Sequence, residues 1–279
     1  MTIEVVRPGP LCTVQDLGRP GYAHLGVPHS GAADAASLRL ANRLVGNPED
    51  AAGVELTFGG AALRFHAPAW IAVTGAPVRV SPGAMNAPCH VPAGTTVEFG
   101  VPPAGVRTYV AVRGGVDVPP VLGSRSTDLL SGLGPDPLAA GDRLAVGRAS
   151  EPITVDCAPG YEPEDEPVLR VLPGPRDDWF ESLEPLIRGD YEVSSHSNRI
   201  GVRLEGRPLV RRREGELPSE GMVIGALQVP PNGLPIIFLA DHPTTGGYPV
   251  AAVLTTADLG RAAQLRPGQR VRFRLLARS

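Results

Sequence analysis

The sequence predicts an all-β protein made of two related halves, and three observations carry that prediction. First, short apolar runs of strand length follow one another with Gly, Pro or Asn in nearly every gap. The 34 glycines and 31 prolines are many for 279 residues and follow no collagen period, so the excess marks turns. Second, segments recur: VPPAG at 101–105 returns as VPPNG at 229–233, an offset of 229 − 101 = 128, and each precedes an apolar run, YVAV at 109–112 and IIFLA at 236–240. Each copy closes on a Gly-Asp/Gln-Arg turn and a last strand (141–146 and 268–273), and each opens with a strand followed by Pro-Gly-Pro (8–10 and 173–175). Third, only three segments have a helical pattern.

In chain order, strands are predicted at 3–7, 53–56, 62–65, 70–73, 95–99, 108–112 and 143–146, then at 168–172, 201–204, 234–240 and 270–275. The helix at 32–45 places Ala33, Ala36, Leu40 and Leu44 on one face. Ser30 or Gly31 caps its start, Asp34 falls in its first turn, and Gly46-Asn47-Pro48 stops it. A helix at 178–187 is weakened by Pro185, and one at 258–263 follows Thr255-Thr256, which serve as caps. The stretch 157–167 is proline-rich and acidic with no apolar period, so it is taken as the linker between halves 1–156 and 168–279.

A chain of this size buries a full core. A net charge of −3 and 5% aromatic residues argue against a nucleic-acid partner, which calls for a basic face and stacking rings. All 26 basic residues are arginine. That excludes a Schiff-base lysine, a Walker-A lysine and a biotinyl lysine, and leaves any phosphate to Arg, to backbone N–H groups or to a partner. Cys12, Cys89 and Cys157 match no zinc or redox spacing, and no other metal motif occurs. Free thiols fit a reducing cytosol. The N-terminus has no basic region followed by an apolar run, and no run is long enough to span a membrane, so a cytoplasmic location is expected.

The densest polar set lies in 219–248, where Glu220, Gln228, Asp241, His242 and Tyr248 surround the apolar run 236–240. That run delivers Asp241-His242 to a sheet end, and Glu220 and Gln228 are placed to pair beside it. A carboxylate at a barrel mouth serves as base or metal ligand; the plainer alternative is that Asp241 begins a turn and His242 fills surface. Only Arg113–Pro120 stands opposite 241–248 in the repeat, without the Asp-His pair, so one lopsided site is expected rather than two equal ones. Its main part is assigned to the second half, completed by loops 15–22 and 26–34. In the first loop Arg19 can clamp a carboxylate or phosphate, or the loop is simply a turn held by Asp16. In the second, N–H groups before the helix suit an anion and Ser30 can donate to a ligand, unless Ser30 is only a cap. The cluster 194–199 offers His196 for proton transfer and Arg199 for a charged oxygen, or forms a hydrogen-bonded turn. Arg211–Glu214 reads as a solvated hairpin tip. No Gly-x-Ser-x-Gly, His-Glu-x-x-His or Gly-rich phosphate motif occurs.

Four runs carry a family resemblance: VQDLGRPGYAHLGVPHSGAAD, ANRLVGNPEDAAGVELTFGG, SSHSNRIGVRL and SEGMVIGALQVPPNGLPIIFLADHPTTGGYPV. Together they resemble the 5-oxoprolinase C-subunit family, also called allophanate hydrolase subunit 2, KipA-like proteins or the biotin-dependent carboxyltransferase family. The resemblance covers nearly the whole chain. It implies cyclophilin-like β-barrel halves and an obligate KipI-like B-subunit partner. It also implies an A-subunit that opens the 5-oxoproline ring to glutamate once the B- and C-subunits have used ATP, with Mg, to phosphorylate it. Related sequences transfer a carboxyl group from carboxybiotin to urea, and another acts as a regulatory binder. The shared theme is activation of a small planar amide. For that chemistry the residues singled out above are expected to supply a catalytic set of Asp241, Glu220, Arg199 and His196 and a substrate-binding set of Gln228, Arg19, Ser30, His242 and Tyr248. Biotin enters only under the carboxyltransferase alternative.

Overall fold

The computed structural model describes residues 1–149, 151–160, 162–213, 215 and 217–277. Its secondary structure is dominated by strands, as the sequence predicts. Two compact units are present. Unit 1 comprises Met1–Arg19, Ser30–Asp128 and Gly132–Pro163; unit 2 comprises Pro20–His29, Leu129–Ser131 and Glu164–Ser279. The chain passes from one unit to the other within the predicted linker. Two short excursions, 20–29 and 129–131, had no sequence signal.

Unit 1 holds β1 (Thr2–Arg7), β2 (Leu11–Gln15), β3 (Gly53–Thr57), β4 (Ala62–Phe65), β5 (Ala69–Gly75), β6 (Val80–Ser81), β7 (Pro88–Val91), β8 (Thr96–Phe99), β9 (Arg107–Val112) and β10 (Arg143–Ala145). They form two five-stranded sheets, ordered β10-β1-β4-β8-β6 and β2-β3-β9-β5-β7. Ile3, Val5, Val14, Leu56, Phe65 and Val110 belong to one apolar core. Every residue of β9 is buried, although a sheet strand normally alternates. The cause is α1 (Ala35–Leu44), which covers the other side: Tyr109 packs with Leu38, and Ala111 with Ala41 and Leu44. The buried face of α1 is Leu38, Ala41, Asn42 and Leu44, not the predicted Ala33-Ala36-Leu40-Leu44 stripe; Ala36 is exposed. The helix starts three residues later than predicted. Asp34, not Ser30 or Gly31, is its cap, with its carboxylate accepting from the Ser37 N–H at 3.2 Å and the Ser37 hydroxyl at 2.7 Å. Asp34→Ala is expected to cost about 1 kcal/mol in urea denaturation.

Unit 2 holds β11 (Val168–Pro173), β12 (Tyr191–Val193), β13 (Gly201–Glu205), β14 (Glu220–Gly221), β15 (Ala226–Gln228), β16 (Ile236–Phe238), β17 (Thr245–Gly246), β18 (Val250–Leu254) and β19 (Arg270–Leu275). Seven of them close a barrel in the order β11-β18-β15-β16-β13-β12-β19, with β11 and β19 parallel; β14 and β17 pair separately. In β19, Val271 and Phe273 point inward while Arg270 and Arg272 face solvent, the alternation of a one-sided strand. The predicted helix at 178–187 resolves into a turn at Asp177–Trp179 and α2 (Glu184–Arg188), with Pro185 in its first turn where a missing N–H costs nothing. The third helix is α3 (Leu259–Ala263). The acidic end of the linker is pinned to unit 2. Arg261 forks both Glu164 oxygens at 2.7 Å, and Arg272 reaches Glu166 at 3.0 Å. Tyr161 of that linker lies outside the described residues. The arginine run at 211–213 also holds its own unit. Arg211 donates to the Val229 carbonyl at 2.6 Å and Arg213 pairs with Asp178 at 2.9 Å, while Arg212 and Arg213 stay exposed as the solvated reading expects; Glu214 lies outside the described residues. No helix among the described residues is long and apolar enough to cross a membrane.

Candidate functional site

In unit 2 the predicted residues fall into a buried group and an outer group. β16 ends at Phe238, and the turn after it carries Asp241 and His242. Asp241 is fully buried and Arg199 nearly so. Arg199 grips the carboxylate with two parallel bonds, Nε to Oδ2 at 2.9 Å and Nη2 to Oδ1 at 3.1 Å. The backbone repeats the link, the Asp241 N–H donating to the Arg199 carbonyl at 3.1 Å. Oδ2 also accepts from the Leu129 N–H at 3.2 Å, which ties the 129–131 excursion into this unit. The bidentate form is the strong geometry for a carboxylate and a guanidinium. Expected as a donor to a ligand oxygen, Arg199 is instead committed on two nitrogens to Asp241.

His242 stacks on Phe238, ring centroids 5.7 Å apart and planes within 8°. Its Nδ1 lies 2.7 Å from the Pro243 carbonyl, an oxygen that can only accept, so Nδ1 carries the hydrogen and Nε2 keeps its lone pair. Burial lowers its pKa below the ordinary imidazole value; the Pro243 bond works against that and the neighbouring His29 adds to it. A buried neutral imidazole with its tautomer fixed is competent to accept a proton at Nε2.

Gln228, on β15, is buried and donates from Nε2 to the Tyr248 carbonyl at 3.3 Å. The Gly246-Gly247 turn is what permits that approach, since a Cβ on Gly246 would stand 2.5 Å from Nε2. The Tyr248 ring carries the Arg211 guanidinium 5.7 Å from its centroid. Glu220 does not pair with Gln228. Its carboxylate is forked by Arg176, whose hydrogen bonds hold it below the usual carboxylate range. Arg176 lies in no motif and gave no signal in the sequence. His196 is exposed on the turn before β13, its N–H 3.5 Å from the Ser194 hydroxyl.

Unit 1 holds Arg19 and Ser30. Asp16 organises the first loop: its carboxylate accepts from the Ser124 and Ser126 hydroxyls at 2.6 and 2.5 Å and from the N–H groups of Arg125 and Gly18 at 2.6 and 2.8 Å. The Asp16-held turn is thus present, and Arg19 is buried with it, 1% exposed. Arg19 donates to the Ser126 and Val121 carbonyls, and its Nη1 lies 3.8 Å from the Asp128 carboxylate. Ser30 takes a left-handed φ of 54° and donates to the Thr127 carbonyl at 3.2 Å. Gly31 follows with φ 92°, and a Cβ there would lie 2.8 Å from the backbone of Leu17 and Gly18. Only glycine fits. The anion seat expected ahead of α1 is closed. The N–H groups of Ala32, Ala33 and Asp34 donate to the Asp16 carbonyl, Glu55 and the Tyr109 hydroxyl at 2.9, 3.1 and 2.7 Å. Tyr109 in turn donates to Glu55 at 2.8 Å, and burial, then Glu55, pushes its pKa well up.

Sequence comparison adds relatives. The chain is 39% identical to the 5-oxoprolinase C-subunit of Escherichia coli (strain K12), over 97% of this chain and 90% of that one. It is 36% identical to urea amidolyase of Lachancea kluyveri over 97% of its length, but spans only 17% of that protein. The crystal structure of the K. lactis urea amidolyase superposes with a TM-score of 0.90 at 33% identity, covering 99% of this chain and 19% of that one. Residues 25–275 match the model of the carboxyltransferase domain, subdomain A and B. With both the sequence over its whole length and the fold in agreement, the chain belongs to that carboxyltransferase domain family.

Proposed function

We propose that the chain is the C-subunit of an ATP-dependent 5-oxoprolinase, working in the cytoplasm with B-type (KipI-like) and A-type partner subunits to activate 5-oxoproline by phosphorylation before its ring is opened to glutamate. The observation that carries this reading is sequence similarity: the chain is 39% identical to the E. coli C-subunit over 97% of its length, against 36% to a urea amidolyase. The proposed catalytic set is Asp241, Glu220, Arg199 and His196, with Gln228, His242 and Tyr248 binding substrate in unit 2. Within unit 2, the Arg199–Asp241 clasp fixes the turn that presents His242. The neutral Nε2 of His242 then takes the amide proton as the carbonyl is activated.

ATP with Mg is assigned chiefly to the partner. The chain has no lysine, and the N–H groups leading into α1 are already donated internally. This chain's residues do not fit a phosphate grip at that helix.

The similarity to urea amidolyases favours one other reading, a carboxyltransferase component that takes a carboxyl group from carboxybiotin carried on another chain to urea or a similar amide. A regulatory binder without catalysis is the third. The test is the chain reconstituted with its A-type and B-type partners, given ATP and 5-oxoproline, with ADP and glutamate followed. Coupled release of both, absent when any one component is left out, is expected. Carboxybiotin-dependent carboxylation of urea with no glutamate would make the carboxyltransferase reading correct; neither activity would favour the regulatory one.

A further inference from the structure

The outer face of one sheet of unit 1 carries charged side chains that the residues described above do not use. Arg7, Ala62, Glu98 and Ser81 stand opposite one another across the neighbouring strands β1, β4, β8 and β6. Side chains in such a row share a face. Their chain neighbours Leu63, Phe99 and Val80 belong to the core, so the row faces outward. Ala62, between Arg7 and Glu98, adds only a methyl group and leaves the space above it to its neighbours. An open cavity of about 390 Å³ lies at this row, lined by Arg7, Arg79, Ser81 and Glu98 together with Phe99 and Val101. Small-molecule sites span about 300–1,000 Å³, so the size fits a small ligand.

The cavity wall is held in place by backbone. Arg7 donates from Nε to the Gly60 carbonyl at 2.7 Å, and its two Nη groups carry no bond among the described residues. Gly60 ends a turn in which Phe58, Gly59 and Gly60 take left-handed φ values of 57°, 59° and 70°. A Cβ on Gly59 would clash with the Gly100 carbonyl oxygen, which accepts from the Gly60 N–H at 3.3 Å. A phenylalanine held left-handed is strained, and such strain gathers at ligand sites. On the other side the Arg79 carbonyl accepts from the Gly100 N–H at 2.8 Å. Among the described residues the side chains of Arg79, Ser81 and Glu98 form no hydrogen bond or ion pair. Two guanidinium groups and a carboxylate therefore line one cavity without neutralising each other.

Those charges define the ligand. Two guanidinium groups and a hydroxyl receive carboxylates. A phosphate or sulfate would meet Glu98 as a like charge. A ligand that also carries an ammonium group makes Glu98 a partner instead. Two carboxylates and one ammonium on a short apolar stem answer the whole lining, with Val101 beside the stem. We propose that Arg7, Arg79, Ser81 and Glu98 form a binding site in unit 1 for a dicarboxylic amino acid of the glutamate class. The proposal rests on the reading above only for the choice of L-glutamate, its product, as the probe.

Binding, not turnover, tests it, so failure here is distinguishable from failure of the oxoprolinase assay. The full chain would be titrated calorimetrically with L-glutamate, with glutarate, which lacks the ammonium, and with 4-aminobutyrate, which lacks one carboxylate. L-glutamate is expected to bind about tenfold more tightly than either analogue. Glu98→Gln is expected to abolish the preference for L-glutamate over glutarate. Arg79→Gln is expected to weaken L-glutamate about tenfold. Both side chains are exposed and make no bond within the described residues, so neither change is expected to move the melting temperature. No saturable binding of L-glutamate to the native chain, either analogue bound as tightly as L-glutamate, or native-like L-glutamate binding in both variants would each overturn the proposal.

Discussion

Arg199→Ala is expected to destabilise the chain by about 3–5 kcal/mol, the cost of leaving one member of a buried ion pair without the other. Asp241 is fully buried and receives Arg199 through two bonds, so its carboxylate would be stranded where water cannot reach it. Asp241→Ala is expected to cost a similar amount, because it strands the guanidinium and also takes the acceptor from the Leu129 N–H. Replacing both together by Met and Leu is expected to cost much less than either alone, since the two opposite charges of the pair are removed together. Urea denaturation of the four proteins gives the coupling directly. Single variants within about 1 kcal/mol of the native chain would mean that the clasp does not hold the turn, and would remove the basis for its positioning of His242.

His242→Gln is expected to lower the turnover of the reconstituted enzyme by about 10²–10⁴, the usual contribution of a positioned proton acceptor, while leaving the fold nearly unchanged. Gln can still donate toward the Pro243 carbonyl but has no basic nitrogen. The pH dependence carries a sign. Burial lowers the His242 pKa, so the folded chain binds that proton less readily than the unfolded chain. Its contribution to stability is therefore complete above the ordinary imidazole value and is lost as pH falls from there through the folded pKa. Activity that depends on neutral His242 should persist to a lower pH than an unperturbed imidazole would allow. A native chain and a His242→Gln variant with the same pH slope of stability between about pH 7.5 and 5, or equal turnover, would rule out this role.

Much of the fold was legible in the sequence because strand signals are local. Every predicted strand coincides with an observed one, from Thr2–Arg7 to Arg270–Leu275, since period-two burial and Gly or Pro punctuation act over a few residues. Other strands gave no signal, for reasons that differ with their length and composition. Val80–Ser81, Glu220–Gly221 and Thr245–Gly246 are two residues long and hold no period. Tyr191–Val193 and Ala226–Gln228 are scarcely longer. Val250–Leu254, VAAVL, is uniformly apolar, and such a run does not distinguish strand from helix. The face of α1 was misassigned for a related reason. A row of alanines gives little contrast between faces, and the packing of Leu38 and Ala41 against β9 decided it.

The sequence by itself determined the strand-rich architecture, the absence of any lysine-based chemistry and the run 219–248 that is dense in polar residues. Tertiary structure alone decided which of those groups meet. Asp241 was adjacent to His242 in the chain but takes Arg199, 42 residues away. Glu220 was matched with Gln228 by proximity in sequence, yet it takes Arg176, 44 residues away. Asp16 was expected to hold a local turn and also gathers Ser124 and Ser126, 108 and 110 residues away. The physical reason is that strand propensity is written in neighbouring residues, whereas a buried charge selects whichever partner the sheet order brings alongside it, and sheet order places β15 between β16 and β18 irrespective of where their side chains stand in the chain.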